Sequence, residues 1–168
     1  KSKKLLFVQL NEFTFGIYKE LSKVFPLNNF NNFFNKSNNI NTVADVDHKH
    51  NEPWIQWYSI FTGLSYNKHE VFSLGESIKF KHNQIWEELE KKNLKVASIG
   101  SMNAVNRLTI PENIFLPDPW TNTNLSAGKY DKIFYILLKK IILDRRRGLK
   151  YYIKIIIFLL ISIKYITI

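Results

Sequence analysis

The sequence contains no cysteine, and this absence excludes three kinds of site at once. Disulfide bridges, zinc sites built on thiolates and cysteine nucleophiles all require a residue that the chain does not have. A cysteine-free chain is compatible with a reducing compartment, and the first apolar run is too short for a secretory signal. We therefore expect a cytoplasmic protein.

Histidine is also scarce, which limits metal chemistry. The chain has four histidines, at His48, His50, His69 and His82. The first two lie close to Asp45 and Asp47 in the segment DVDHKHNE, whose composition resembles that of a metal cluster. Because alternate residues of an extended segment face opposite sides, a polar loop is the favoured interpretation.

A long uncharged apolar run is missing as well. A membrane-spanning helix needs about 20 predominantly apolar residues. The apolar end of the chain is interrupted by Lys150, Lys154 and Lys164, so residues 155–163 form its longest uncharged stretch. This pattern favours a buried or interfacial helix over a membrane span.

The positive charge is concentrated in one part of the sequence. Residues 1–128 contain 14 Lys and Arg against 12 Asp and Glu, whereas residues 129–168 contain 10 against 2. Such a tail can meet phosphates or anionic lipids, but it has no base-reading motif. We therefore expect no specific nucleic-acid partner, and we consider contact with a membrane surface through residues 129–168.

Apolar periodicity predicts strands and helices in alternation. The predicted strands cover residues 5–10, 42–46 and 94–99, and the predicted helices cover 13–25, 53–62, 83–92 and 132–143. Pro53 suits a helix start, and Gly63 and Asn93 suit left-handed helix ends. The order of elements favours an α/β sandwich with a mainly parallel sheet over residues 1–128, followed by a basic apolar helical segment over 129–168.

Three segments, taken in order, resemble one protein family. They are LLFVQLNE at 5–12, EPWIQWYSIFTG at 52–63 with KHEVF beyond it, and IWEELEKKNLKVASIGSMNA at 85–104. Their order and spacing are similar to the amino-terminal part of the alkaline phosphatase superfamily, in its type I phosphodiesterase and nucleotide pyrophosphatase branch. FLPDPW at 115–120 fits the segment that closes this part of the fold. The resemblance implies a partial three-layer sandwich.

The resemblance also implies a divalent metal site. Family members bind two metal ions, usually zinc, which clamp a phosphoryl or sulfuryl group. Asn11 and Glu12 follow the first predicted strand at the position of a metal ligand, and Glu12 is the better oxygen donor for zinc or manganese. The alternative interpretation is that Asn11 caps a helix and Glu12 lies in its first turn. His69 corresponds to a structural turn histidine.

The nucleophile departs from the family pattern. The position of the family's catalytic Thr or Ser falls at about Pro53, which has no nucleophilic atom. Glu52 beside it carries a carboxylate, which can act as a nucleophile. Ser59 and Thr62 carry hydroxyl groups, but their positions resemble helix-packing sites.

The resemblance predicts a fragment, or a degenerate relative, of a metal-dependent hydrolase that acts on phosphate or sulfate esters. The family's remaining metal ligands belong to a carboxyl-terminal portion that this sequence lacks, and the chain begins at Lys1 rather than at Met. We therefore expect a piece that is inactive alone. Two alternatives stay open, namely a non-catalytic membrane-surface or interaction protein that uses the basic apolar tail, and a dead relative that still binds phosphate esters.

Overall fold

The computed structural model describes residues 4–26, 28–40, 42–44, 50–143, 152, 153, 156, 157 and 160. The chain divides into two compact units, unit 1 (Lys1–Pro53) and unit 2 (Trp54–Ile168). Its helices are α1 (Phe15–Val24), α2 (Asn28–Lys36), α3 (Pro53–Thr62), α4 (Tyr66–His69), a 3-10 helix (Glu76–Lys79), α5 (Ile85–Lys91) and α6 (Lys129–Leu143). The two strands of the described part are β1 (Ala97–Ser101) and β2 (Ile114–Pro117). None of the described helices is both long and apolar enough to cross a membrane.

Helix α1 of unit 1 confirms the prediction of a helix over residues 13–25. The side-chain oxygen of Thr14 caps it by accepting a hydrogen bond of 3.3 Å from the N–H of Ile17. At the other end the N–H of Phe25 donates to the carbonyl of Leu21 at 2.8 Å. Pro26 follows, and a proline at this place cannot continue the helical hydrogen bonds.

Unit 1 holds a cluster of aromatic rings, the surface aromatic cluster, made of Phe13, Phe15, Tyr18, Phe30 and Phe34. The ring of Phe13 stacks on Phe30 with centroids 6.1 Å apart, and Phe34 lies 5.4 Å from Phe15 and 5.1 Å from Tyr18. No described residue of unit 1 is buried. The rings therefore contact one another while each stays at least partly exposed.

The predicted strands of unit 1 are wrong as far as the structure describes them. Residues 5–10 form neither helix nor strand, and their apolar side chains are between 53% and 88% exposed. Residues 42–44 also lie outside any strand, whereas 45 and 46 are outside the described residues. An all-apolar strand is stable only inside a sheet that covers its faces, and the described residues of this unit form no such sheet.

Unit 2 is built around helix α3, which runs from Pro53 to Thr62 as predicted. Gly63 ends the helix with a φ of 68°, and its N–H donates to the carbonyl of Ser59 at 2.8 Å. The rings of Phe61, Trp86 and Phe115 form the core, with centroids 4.9 Å apart for the first pair and 5.4 Å for the second. Ala104 completes the buried cluster.

Strands β1 and β2 form a parallel pair in which Ala97 is opposite Ile114. The prediction of a strand over 94–99 placed the start of β1 too early, because Leu94 still takes part in the hydrogen bonds that end α5. Asn93 has a left-handed φ of 56°, as predicted, and the N–H of Leu94 donates back to the carbonyl of Leu89 at 3.1 Å. The structure thus confirms a mixed α/β chain with a small parallel sheet.

Candidate functional site

The carboxyl ends of β1 and β2 deliver two buried polar side chains, Asn103 and Asp118. Asn103 follows β1 by two residues, and Asp118 follows β2 directly. Both are almost fully buried, with exposed fractions of 0% and 2%. Open α/β sheets bind ligands beyond the carboxyl ends of their strands. The strand-end network, defined as Asn103 and Asp118 with their hydrogen-bond partners, is therefore the candidate functional site.

The Asp118 carboxylate accepts hydrogen bonds at both oxygens. Oδ2 accepts from the N–H of Asn103 at 2.9 Å and from the hydroxyl of Thr121 at 2.5 Å. Oδ1 accepts from the N–H groups of Trp120 and Thr121 at 2.8 and 3.0 Å. Because protein donors occupy both oxygens, this carboxylate organises the turn after β2.

The side chain of Asn103 ties two other segments to the end of β1. Its Nδ2 lies 3.2 Å from the carbonyl of Trp54 and 3.3 Å from that of Ser73, and its Oδ1 accepts from the N–H of Gly75 at 2.8 Å. Asn103 has a φ of 56°, a region that Asn adopts more readily than most residues. The first turn of α3 and the loop at Ser73 are therefore held at the same end of the sheet.

Gly75 is held at close range to the turn after β2. It has a φ of 79°, and a Cβ built there would lie 3.0 Å from the carbonyl oxygen of Trp120. A larger residue would therefore meet both backbone strain and a steric contact.

Neither Asn103 nor Asp118 was among the residues predicted from the sequence. The sequence contained a signal for both residues, because each is a polar residue that comes after an apolar segment of the chain. Asn103 lies in SMNA and Asp118 lies in FLPDPW. The carboxyl ends of neighbouring parallel strands meet at one edge. Which hydrogen bonds these side chains make depends on loops that the pattern does not locate.

Ser59 and His69 lie within hydrogen-bond distance, with 2.9 Å between Oγ and Nε2. The other ring nitrogen, Nδ1, accepts the N–H of Val71 at 3.0 Å. With Nδ1 as an acceptor, the ring is neutral and its proton is on Nε2, so His69 donates to Ser59. A general base must accept the hydroxyl proton. In this arrangement His69 does not serve as a base for the Ser59 hydroxyl.

A second polar cluster surrounds Arg107. Its Nη1 donates to the carbonyl of His82 at 2.9 Å and to Oε1 of Glu87 at 3.2 Å, and its Nη2 donates to the carbonyl of Phe80. Burial raises the pKa of the nearby Tyr58 hydroxyl, although Arg107 opposes this shift. These contacts hold the segment before α5 against the loop after β1.

The predicted metal ligands Asn11 and Glu12 lie in an exposed turn before α1. The alternative that Asn11 caps the helix is wrong, because Thr14 is the cap. Glu12 has a φ of 57° and lines, with Phe13 and other apolar residues, a concavity of about 260 Å³.

The structure describes only some of the other predicted groups. Glu52 is exposed and directly precedes α3. His50 is half-buried, while Asp45, Asp47 and His48 lie outside the described residues. Within the described residues, no three His, Asp or Glu side chains are grouped so that they could hold a metal ion.

Comparison of the chain with protein-family models, with curated proteins and with solved structures finds no match. The resemblance to the phosphodiesterase branch therefore stays a prediction. The structure shows a parallel strand pair, a buried polar network at the carboxyl ends of these strands, and an exposed turn with Glu12 in unit 1.

Proposed function

We propose that the chain is a fragment, or a degenerate relative, of a metal-dependent phosphodiesterase or phosphatase that acts on phosphate or sulfate esters. In this proposal it is inactive alone, and its α/β part is a partial alkaline-phosphatase-like three-layer sandwich. The supporting observation is the parallel β1–β2 pair, whose carboxyl end is bound to the start of α3 through Asn103 and the carbonyl of Trp54.

This arrangement supports the proposal because it brings the start of α3 to the carboxyl end of the β1–β2 pair. In the family the loop before the equivalent helix carries the nucleophile, and metal ligands follow the strands. Here the first turn of α3 is bound at the carboxyl end of a parallel pair, as that scheme requires. Glu52 precedes that helix in the sequence and is the carboxylate that we propose for the nucleophile.

The turn at Asn11 and Glu12 fits part of a divalent metal site. A carboxylate and an amide oxygen are donors that zinc and manganese accept, and tetrahedral zinc needs four ligands. Two adjacent side chains supply at most half of that set. The ion would polarise the ester oxygen once the other ligands were present. The incomplete donor set is why we propose that the chain does not turn over substrate by itself.

A direct test is to incubate the purified chain with zinc or manganese and either bis-p-nitrophenyl phosphate or p-nitrophenyl sulfate. We expect no nitrophenolate release above that of metal in buffer. Glu12→Ala and the control Glu20→Ala, an exposed glutamate of α1, should behave alike in this assay. Turnover that Glu12→Ala abolishes and Glu20→Ala preserves would overturn the proposed inactivity.

The hydrolase relationship itself is tested by the coding sequence. We expect the reading frame beyond Ile168 to encode an Asp, an Asp-His pair and further histidines, which are the ligands that the family adds. A frame that continues without them would contradict the fragment, and equilibrium dialysis against p-nitrophenyl phosphate would then test the relative that only binds esters. If the chain also fails to retain that ester, the proposal is wrong.

A further inference from the structure

We propose that α6 binds the surface of an anionic lipid bilayer and lies in the plane of that surface. The inference concerns α6 and the residues after it, and it does not depend on the proposed hydrolase relationship. It starts from the arrangement of apolar and basic residues around this helix of 15 residues.

One arc of α6 is apolar. Residues on it recur at the spacing of a helical face, three and four positions apart; they are Ile133, Phe134, Leu137, Leu138, Ile141 and Ile142. Three of these side chains, Ile133, Leu138 and Ile142, are 40%, 40% and 41% exposed. A substantial apolar surface on this arc therefore remains open to a partner.

The opposite arc of α6 holds the lysines. It carries Lys129, Lys132, Lys139 and Lys140, together with two apolar residues, Ile136 and Leu143, which are 56% and 47% exposed. The helix contains a single acidic residue, Asp131, which falls on the apolar arc. Lys129, Lys132 and Lys140 are exposed. A helix with lysines on its polar face and large apolar residues on the other has the composition of interfacial membrane helices.

Tyr135 anchors this helix to the rest of unit 2. It is the buried residue of α6 among those described, with 6% exposure, and its hydroxyl donates to the carbonyl of Asp118 at 3.1 Å. At about 100° per residue, Tyr135 falls at the border between the apolar and basic arcs. The anchor therefore leaves much of both arcs accessible.

The described residues beyond α6 repeat the pattern. Tyr152, Ile153, Ile156, Ile157 and Leu160 are helical and between 48% and 63% exposed. The four aliphatic positions again have helical spacing, and the surrounding sequence is basic. Apolar and basic groups thus continue together along this end of the chain.

An anionic bilayer satisfies both arcs, whereas two other partners satisfy only one. Nucleic acid would pair with the lysines but leave the apolar arc in water. A second copy of the helix could cover the apolar arc but would leave the lysines on the outer faces without an anionic partner. A bilayer offers hydrocarbon to one arc and phosphate or carboxylate headgroups to the other.

The test is flotation of the full chain with vesicles. We expect binding to vesicles with phosphatidylserine at least about tenfold stronger than to pure phosphatidylcholine, and weaker binding at high salt, because each lysine near an anionic surface contributes about fivefold. Lys129→Gln with Lys132→Gln and Lys140→Gln should lower binding by roughly tenfold or more. Leu138→Asp with Ile142→Asp should abolish it.

A matched control is Ile60→Asp with Ile78→Asp, since both isoleucines are exposed in unit 2 and lie in α3 and the 3-10 helix rather than in α6. This pair should leave flotation unchanged, and circular dichroism should confirm that every variant is folded. Equal losses in the control and in the Leu138 pair would contradict the proposal. So would binding of duplex DNA without vesicle binding, or vesicle-free dimerisation that Leu138→Asp removes.

A second measurement does not depend on disruptive variants. Because the chain has no cysteine, Leu138→Cys and Lys132→Cys each introduce a unique site for a nitroxide spin label. On anionic vesicles we expect the label at 138 to lie roughly 5–10 Å below the headgroups and the label at 132 to stay in water. Ile60→Cys is the aqueous control, and equal depths at 132 and 138 would overturn the orientation proposed for α6.

Discussion

Units 1 and 2 both use aromatic residues, but only unit 2 encloses them. In unit 1 the rings of Phe13, Phe30 and Phe34 contact one another while every described residue stays at least partly exposed. In unit 2 Phe115 is fully buried, and Trp86 is 4% exposed. Aromatic side chains therefore pack against one another in both units but are fully buried only in unit 2.

Hydrogen bonding of backbone groups near the rings explains why only unit 2 encloses its aromatic residues. The backbone near the rings of unit 2 is satisfied by buried side chains, as where the Val105 carbonyl accepts hydrogen bonds from both Gln84 Nε2 and Trp86 Nε1. Such bonds let loops cover a core without leaving buried donors or acceptors unpaired. In the described part of unit 1 the Tyr18 hydroxyl donates to Oδ1 of Asn31, but neither of these residues is buried. We therefore expect unit 2 to carry most of the stability of the chain.

The largest expected effect is that of Phe115→Ala, which should lower the free energy of unfolding by about 3–5 kcal/mol. Phe115 has no exposed surface and packs against Trp86. The matched change in unit 1, Phe33→Ala, affects a ring that is 65% exposed and should cost less than about 1 kcal/mol. Urea unfolding followed by far-ultraviolet circular dichroism, which detects the helices of both units, measures both changes, and equal costs would refute the contrast between the units.

Asn103→Ala should cost roughly 2–3 kcal/mol, since it leaves the N–H of Gly75 without its acceptor and places alanine at a left-handed φ. Asn103→Gly loses the same hydrogen bonds but tolerates this φ, so we expect it to be about 1 kcal/mol less damaging. Thermal unfolding of the two variants separates the cost of the lost hydrogen bonds from the cost of backbone strain. If the glycine variant is the less stable one, the strain argument fails.

Glu90→Gln should lower stability by about 1–2 kcal/mol at neutral pH. The Glu90 carboxylate accepts from the N–H groups of Thr109 and Ile110 and from Asn113 Nδ2, and these donors outweigh burial and hold its pKa below the ordinary value. A lowered pKa stabilises the fold above the ordinary carboxyl pKa and loses that contribution as pH falls through the folded-state pKa. The gap between Glu90→Gln and the parent chain should therefore close in acid below about pH 4.

The control for Glu90 is Glu112→Gln, a change at an exposed glutamate. Its unfolding midpoint should follow that of the parent chain across the pH range. A gap for Glu90→Gln that widens in acid would show that the carboxylate is not the stabilising form.

Ser59→Ala has the smallest expected effect, about 1 kcal/mol or less, because it removes one half-buried partner of His69. The nitrogen-15 spectrum of the His69 ring should show the proton on Nε2 in the parent chain. A proton on Nδ1 would mean that His69 can accept from Ser59, and the pair would then deserve a test as a nucleophile and base.

Local patterns identified several elements correctly. Pro53, Gly63 and Asn93 marked helix ends that the structure contains, because each residue has a backbone preference that acts over a few positions. The pattern failed for residues 5–10, where apolar composition predicted a strand. A strand needs a neighbouring strand, and no local preference supplies one.

The sequence by itself determined the absence of thiol chemistry, the two ends of α3, the left-handed residue after α5 and the basic, apolar character of residues 129–168. Only the tertiary structure decided that Asn103 and Asp118 meet at one end of a parallel pair, and that His69 donates to Ser59. The first kind of property depends on composition and on short-range backbone preferences. The second depends on which distant segments lie within about 3 Å of one another, the range of a hydrogen bond, and that is set by how the whole chain packs.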